Sequence, residues 1–380
     1  MKLEERKQIL RDATNFKKTD RIPTTSNYWT WSILDAGYKL SEGLYDYDIL
    51  YKVVTDFHKK YCFDLYNYFG DRNPFRVADA AGGNSYEIDD ESGLICLKDR
   101  CYMEADEYPL LIENHFKFVW TVITKRSSKN FTGPGCEEAF FNTINEMMRF
   151  NESNARIRDT YVHEYGVPVP AELSVRAPSE MLMNIYRGIK NFSVDLRRRY
   201  GEVQTACDVI AATTGLDMAV AALDGPCGEE AAFDVWSTFL AHSILNQKQF
   251  EDLFWKYIKR IVDKCVENKR LFYIFCESEF LRFADYIADV PKGTILFAPE
   301  VDSVFELRKT LPNIALAGGM TPELLGGGTK EQCLDYAKKL VDELARDGGF
   351  VMGQTKMMTY RNDAKPENII AVQEFCSNCK

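Results

Sequence analysis

Residues 271–300 read LFYIFCESEFLRFADYIADVPKGTILFAPE. Two short apolar runs, strands expected at Leu271–Glu277 and Thr294–Pro299, flank a segment long enough to carry a helix. Aromatic and β-branched residues favour strand in such runs, and Pro291-Lys292-Gly293 punctuates the return. The same unit recurs outward in both directions. Further strands are expected at Ile22–Tyr28, Phe63–Phe69, Val167–Ser174, Ala232–Thr238, Ile314–Ala317 and Phe350–Gly353, which makes eight. The clearest helices are Gln247–Asn268, with apolar residues at helical spacing, and Thr329–Arg346. The latter opens on Thr329 and Gln332, a capping-box pair, and ends at Gly348-Gly349. Eight strands alternating with helices predict an α/β fold, the (β/α)₈ TIM barrel. A doubly wound sheet would carry a Gly-rich phosphate loop after an early strand. Gly82-Gly83 and Gly326-Gly327-Gly328 lack the G-x-G-x-x-G spacing, and the second reads as a plain loop before a helix.

Two segments stand outside the alternation. Leu3–Ala13 is a charged amphipathic helix within an N-terminal arm of residues 1–20. Ser85–Asp99 places two strand-like runs around Asp89–Gly93, a β-hairpin by its turn residues. It falls in an insertion of about residues 75–165 after the second strand, expected to act as a lid or rim on one barrel domain spanning 1–380.

The chain has 380 residues, with 47 Lys+Arg against 57 Asp+Glu and a formal charge of −10. That balance argues against a nucleic-acid partner or an anionic membrane surface. No run of about 18 apolar residues occurs, and residues 1–20 lack the apolar core of a signal peptide, so a cytoplasmic location is expected. Eleven cysteines without a framework suit a reducing compartment. The single C-x-x-C, Cys376 and Cys379, has no second pair to complete a zinc ribbon and reads as a frayed tail.

Barrels of this type place chemistry at the C-terminal ends of their strands. The first two strands end in Tyr28, Trp29, Trp31, Tyr66 and Tyr68, an aromatic group suited to a flat organic ligand, followed by Asp71 and Arg72. Glu277 and Glu300 end adjacent strands, with Cys276 beside them. A carboxylate directly after an apolar strand must be paired, protonated or metal-bound. Two readings stand: a divalent metal on Cys276, Glu277 and Glu300, or salt bridges to Arg282 or Arg176. His242, after the fourth strand, is a candidate substrate contact or a loop histidine, while His58 and His163 read as surface. No G-x-S-x-G occurs, so no nucleophilic triad is supported.

Four C-terminal stretches, Asp289–Gly293, Ala317–Leu325 (AGGMTPELL), Gly348–Met352 and Ala364–Ile369, follow an order that resembles the uroporphyrinogen decarboxylase superfamily. Its members are (β/α)₈ barrels and include decarboxylases and corrinoid-dependent methyltransferases. The decarboxylases carry a Q-A-G-R motif near the first strand for propionate binding; the matching Tyr28–Gly37 has no arginine. The coenzyme M branch holds zinc through H-x-C and a cysteine on the last strand; here only Cys276 matches. Segments around 68–86 and 99–114 look more like the subgroup that demethylates aryl methyl ethers. The resemblance therefore implies a methyltransferase passing methyl from an aryl methyl ether to the cob(I)alamin of a corrinoid protein. It implies zinc on carboxylates, with Glu277 and Glu300 as ligands and catalytic groups, joined by Cys276 or Asp285. Two rivals are a decarboxylase of a non-porphyrin aromatic acid and a non-catalytic corrinoid- or tetrapyrrole-binding barrel.

Overall fold

The structure is a computed structural model and describes residues 1–67, 72–225 and 228–379. Ten strands occur among these residues: β1 (Thr25–Ser26), β2 (Leu65–Tyr66), β3 (Tyr86–Asp89), β4 (Leu94–Leu97), β5 (Val169–Ser174), β6 (Ala231–Phe239), β7 (Phe272–Cys276), β8 (Ile295–Pro299), β9 (Ala315–Met320) and β10 (Phe350–Gln354). Strands β5 to β10 form one parallel sheet in chain order. β1 pairs in parallel with β2, and a parallel bridge from Thr24 to Met352 joins β1 to β10. β2 packs beside β5 without a hydrogen-bonded ladder among the described residues. The eight parallel strands build the barrel, and each overlaps a segment expected from the sequence.

Alternation along each strand divides the side chains into two layers. Leu65, Phe233, Tyr273, Phe275, Leu296, Ala298, Ala315, Ala317 and Val351 form one cluster, which fills the barrel interior. Phe239, Phe272, Ile274, Cys276 and Phe297 belong to the larger cluster shared with the surrounding helices. The first helix, Leu3–Thr14, joins the interior cluster through Leu10 and Ala13. It sits at the N-terminal ends of the strands: Gly349 N–H donates to the Ala13 carbonyl at 2.7 Å, and Arg11 Nε donates to the Ala232 carbonyl at 3.2 Å. Gly349 has φ +80°, and a Cβ there would lie 2.4 Å from the Phe16 ring, so only glycine fits this junction.

Between β2 and β5 lie the antiparallel hairpin β3–β4, registered Tyr86↔Leu97 to Asp89↔Leu94, and the long helix Cys136–Asp159. Gln247–Asn268 is helical throughout, with a π-turn at Glu251–Trp255 between two α segments. Thr329 and Gln332 make the capping box: Gln332 N–H donates to Thr329 Oγ1 and Thr329 N–H to Gln332 Oε1. The glycine run before it is a close-packing device, since a Cβ on Gly326 would lie 1.9 Å from the Asn362 carbonyl. The C-terminal pair is not frayed. Helix Pro366–Asn378 buries Cys376, whose carbonyl accepts from Ile22 N–H at 3.1 Å. No disulfide joins two of the ten described cysteines. Among the described residues no single helix is long and apolar enough to cross a membrane.

Candidate active site

A polar layer crosses the barrel interior near its C-terminal end. Thr25 Oγ1 donates to Asn67 Oδ1 at 3.2 Å, and the Tyr273 hydroxyl donates to the same oxygen at 2.8 Å. Those contacts connect β1, β2 and β7 across the axis, which fixes Thr25 and Tyr273 as inward-facing. Asn27 continues the face of Thr25 one layer higher. Its N–H donates to Gln354 Oε1 at 2.9 Å, and its carbonyl accepts from Met358 N–H at 2.8 Å. The backbone is therefore satisfied, but neither Oδ1 nor Nδ2 of Asn27 has a hydrogen-bond partner among the described residues.

Glu277 and Glu300 continue the inward faces of β7 and β8. The ladder extends to both, because Glu277 N–H donates to the Phe239 carbonyl (2.8 Å) and Glu300 N–H to the Cys276 carbonyl (2.9 Å). Phe275 and Ala298, two residues earlier, belong to the interior cluster. The two carboxylates differ in role. Glu300 Oε2 accepts from Ser278 N–H at 2.9 Å, and Asp302 Oδ2 accepts from Phe280 N–H at 2.6 Å, so the β8 end clamps the loop after β7. Ser278 is held at φ +63°, an uncommon conformation for a residue with a side chain. Glu277 makes no hydrogen bond or ion pair through its carboxyl among the described residues. Burial, and next the neighbouring Glu300 charge, raise its pKa; Arg72 and Arg176 oppose the rise. The result is a half-buried carboxyl biased toward its acid form, without a structural task.

One buried acid here escaped the sequence reading. Glu180, on the helix Pro178–Met181 after β5, is 3% exposed. Its Oε1 accepts from Leu240 N–H and Ala241 N–H, each at 2.7 Å, and its Oε2 accepts from Asn184 Nδ2 at 3.1 Å. It holds the turn after β6. Burial pushes it up to about 7 against those stabilising N–H donors, with Glu277 adding to the rise.

Several expected residues lie elsewhere. Cys276 faces the outer layer, because it precedes Glu277 on a strand and so points the opposite way. Its thiol lies 3.6 Å from His242 Nε2, and burial raises its pKa well above the ordinary value. His242 is fully buried among Phe239, Phe254, Phe280 and Phe283, with Nε2 3.2 Å from the Glu279 carbonyl. Burial pushes its pKa down to about 4, so it is a neutral core histidine rather than a substrate contact or loop residue. Arg282 donates to the His242 and Ser243 carbonyls, not to Glu277, and Asp285 is exposed in a helical turn. His58 is buried, not on the surface, with Nδ1 2.7 Å from the Tyr66 hydroxyl; His163 is exposed.

Tyr28, Trp31 and Tyr66 also turn outward, packing with Phe57, Phe63 and Tyr61 under the helix Tyr47–Tyr61. The cavity among Ser26, Tyr28, Trp29 and Tyr66 is about 30 Å³. That holds roughly two waters, whereas an arene needs about 150 Å³. Trp29 differs: it stacks near Phe75 and carries the Arg72 guanidinium 5.6 Å from its ring centroid. Since Arg72 also acts on Glu277, Trp29 belongs to the same mouth. Tyr68 and Asp71 lie outside the described residues.

The expected zinc ligands do not fit a metal. Among the described residues no group of three or more His, Cys, Asp or Glu side chains gathers to hold one. Cys276 is on the wrong face of β7, and Glu300 is engaged by Ser278. What remains is one acid whose pKa is raised by burial, an orphaned amide, and the Arg72 and Arg176 guanidinium groups that oppose that rise.

Comparison with known proteins agrees with this architecture. The structure superposes on a methyltransferase from Methanosarcina mazei with a TM-score of 0.63, at 12% identity, over 99% of this chain and 98% of that one. No curated protein matches by sequence. The family model described as uroporphyrinogen decarboxylase (URO-D) matches residues 157–378, from the end of the long helix after the hairpin to the last helix. That match covers more than half of the chain, and the chain belongs to the uroporphyrinogen decarboxylase family.

Proposed function

We propose that the protein is a methyltransferase that removes the methyl group of an aryl methyl ether and passes it to the corrinoid of a partner protein. The supporting observation is Glu277: an inward carboxyl at a strand end, biased toward its protonated form and free of structural hydrogen bonds among the described residues. An aryl ether resists dealkylation because phenolate is a poor leaving group. Protonating the ether oxygen as the carbon–oxygen bond breaks removes that obstacle. The partner's corrinoid, as Co(I), supplies the nucleophile that takes the methyl. The electron pair of the broken bond stays on oxygen, the Glu277 proton joins it, and the neutral phenol leaves. Glu300 fixes the loop that carries Glu277 and, next to burial, adds to the rise in its pKa. Trp29 and Arg72 flank the opening, where an aromatic ring enters. Glu277 and Glu300 are half-buried rather than sealed, which leaves the reacting end accessible to a co-substrate presented from outside.

The test mixes the protein with a reduced corrinoid protein and a donor panel of 2-methoxyphenol and 1,2-dimethoxybenzene types, following the methylcobalamin absorbance. Methyl transfer that falls by about 10²–10⁴ in Glu277→Gln supports the proposal. Absence of transfer from every donor refutes it. Release of CO₂ from an aromatic acid without any corrinoid would instead favour the decarboxylase reading, to which the proximity of Arg72 and Arg176 lends support as carboxylate partners.

A further inference from the structure

Asn27 is 1% exposed and faces the barrel axis, yet both of its amide atoms lack partners among the described residues. A buried amide left unpaired is destabilising, because it has given up water without gaining a partner. Its backbone is fully engaged by Gln354 and Met358, so the side chain is not serving a turn or a cap. Its neighbours on the same face show the contrast. Thr25, Asn67 and Tyr273 satisfy one another, whereas the acceptor and the donor of the Asn27 amide find no partner among the described residues.

We propose that Asn27 reads the substrate, and that the preferred ligand carries a hydrogen-bond donor next to an acceptor on one aromatic edge. This rests on the aryl-ether reading and narrows it to 2-methoxyphenols, in which a hydroxyl sits beside the methoxy group. The carboxamide Oδ1 accepts from the phenol O–H and Nδ2–H donates to the adjacent ether oxygen. A 1,2-dimethoxybenzene offers two acceptors and no donor, which leaves Oδ1 unpaired in a dry site. Sites built to pair a substrate hydroxyl reject the analogue lacking it for this reason. Leucine at this position would have suited the apolar interior, and an aspartate would have added a third inward carboxylate to Glu277 and Glu300. An amide is the neutral group that reads both partners.

The experiment measures binding of 2-methoxyphenol and 1,2-dimethoxybenzene to the full chain by titration calorimetry, with no corrinoid present. Wild type is expected to favour 2-methoxyphenol by about tenfold or more. Asn27→Leu, which keeps the branching and the number of side-chain heavy atoms, is expected to erase that preference. Asn27→Ala serves as a second variant, and thermal melts confirm that both fold. Equal binding of the two ligands by wild type, binding of neither, or an unchanged preference in both variants overturns the assignment. Separate methyl-transfer assays distinguish the two levels. Tight, Asn27-dependent binding without methyl transfer removes the methyltransferase reading and leaves this one standing. Transfer from both donors, indifferent to Asn27, does the reverse.

Discussion

Replacing Glu180 by Gln should make the protein more stable at alkaline pH. Glu180 is buried, its ordinary value is 4.5, and the fold pushes it up to about 7. Below pH 4.5 both folded and unfolded chains carry the proton, and the group contributes no penalty. As pH rises above 4.5 the unfolded chain releases its proton while the folded one retains it, so stability falls. The loss is complete once pH passes about 7. That interval, at about 1.36 kcal/mol per pH unit, amounts to about 3 kcal/mol. Gln keeps the acceptor oxygen for Leu240 and Ala241 N–H and has no charge to bury, so Glu180→Gln imitates the protonated form. Urea unfolding at pH 5 and pH 8 reads the effect. The variant should match wild type within about 1 kcal/mol at pH 5 and exceed it by about 3 kcal/mol at pH 8. Glu180→Ala, which strands both N–H donors, should be less stable than Glu180→Gln at either pH, by about 1–3 kcal/mol per donor. Equal pH slopes for wild type and Glu180→Gln would falsify the argument.

The other predictions concern the mouth and the base of the barrel. On the proposed role of Glu277 as the acid, its raised pKa means that methyl transfer should fall as pH rises through that pKa. A pH–rate profile of Glu277→Gln should lack that limb, and a profile that keeps it assigns the acid to another group. Cys276 faces away from Glu277, so Cys276→Ser, or dialysis against a chelator, should change turnover less than about twofold; a tenfold loss returns a metal to the mechanism. Leu10→Ala should destabilise by about 2–5 kcal/mol in denaturant titrations, because Leu10 is fully buried in the barrel interior. A loss under 1 kcal/mol would mean that the first helix is not part of that core. Asn27→Leu should raise the thermal midpoint as it abolishes ligand preference, since it removes an unpaired amide. A lowered midpoint would mean the amide is paired in solution.

The fold was legible because strand composition and alternating helical lengths are local signals. β7 and β8 were readable as apolar runs ending in Glu277 and Glu300, and the hairpin by its Asp89–Gly93 turn. Strand ends were less so: β9 continues to Met320 through Gly318 and Gly319, whose positive φ values still accommodate pairing with β10. The site was half legible. That carboxylates end the strands is written in the chain, but which of two consecutive residues faces inward depends on barrel register. Cys276 and Glu277 therefore looked like joint ligands and are separated by the thickness of a sheet. The aromatic residues misled for the same reason, since Tyr28 and Tyr66 share the outer face with Ser26. Glu180 carried no local signal, because its partners are backbone groups of Leu240 and Ala241, distant in sequence. Asn27 could have been noticed as a polar residue alternating with Thr25 at a strand end, the position where barrels keep their chemistry.

The helix Leu3–Thr14, wedged through Leu10 and Ala13 into the lower end of the barrel, also bears on kinetics. A vessel stoppered at one end has a single doorway, so whatever enters first is trapped by whatever follows. In the proposed methyl transfer the small donor must load before the corrinoid protein docks, and the phenol leaves only after that protein departs. Turnover should then be strictly ordered. Surplus partner protein slows the enzyme by occupying the doorway ahead of the donor, while surplus donor does not.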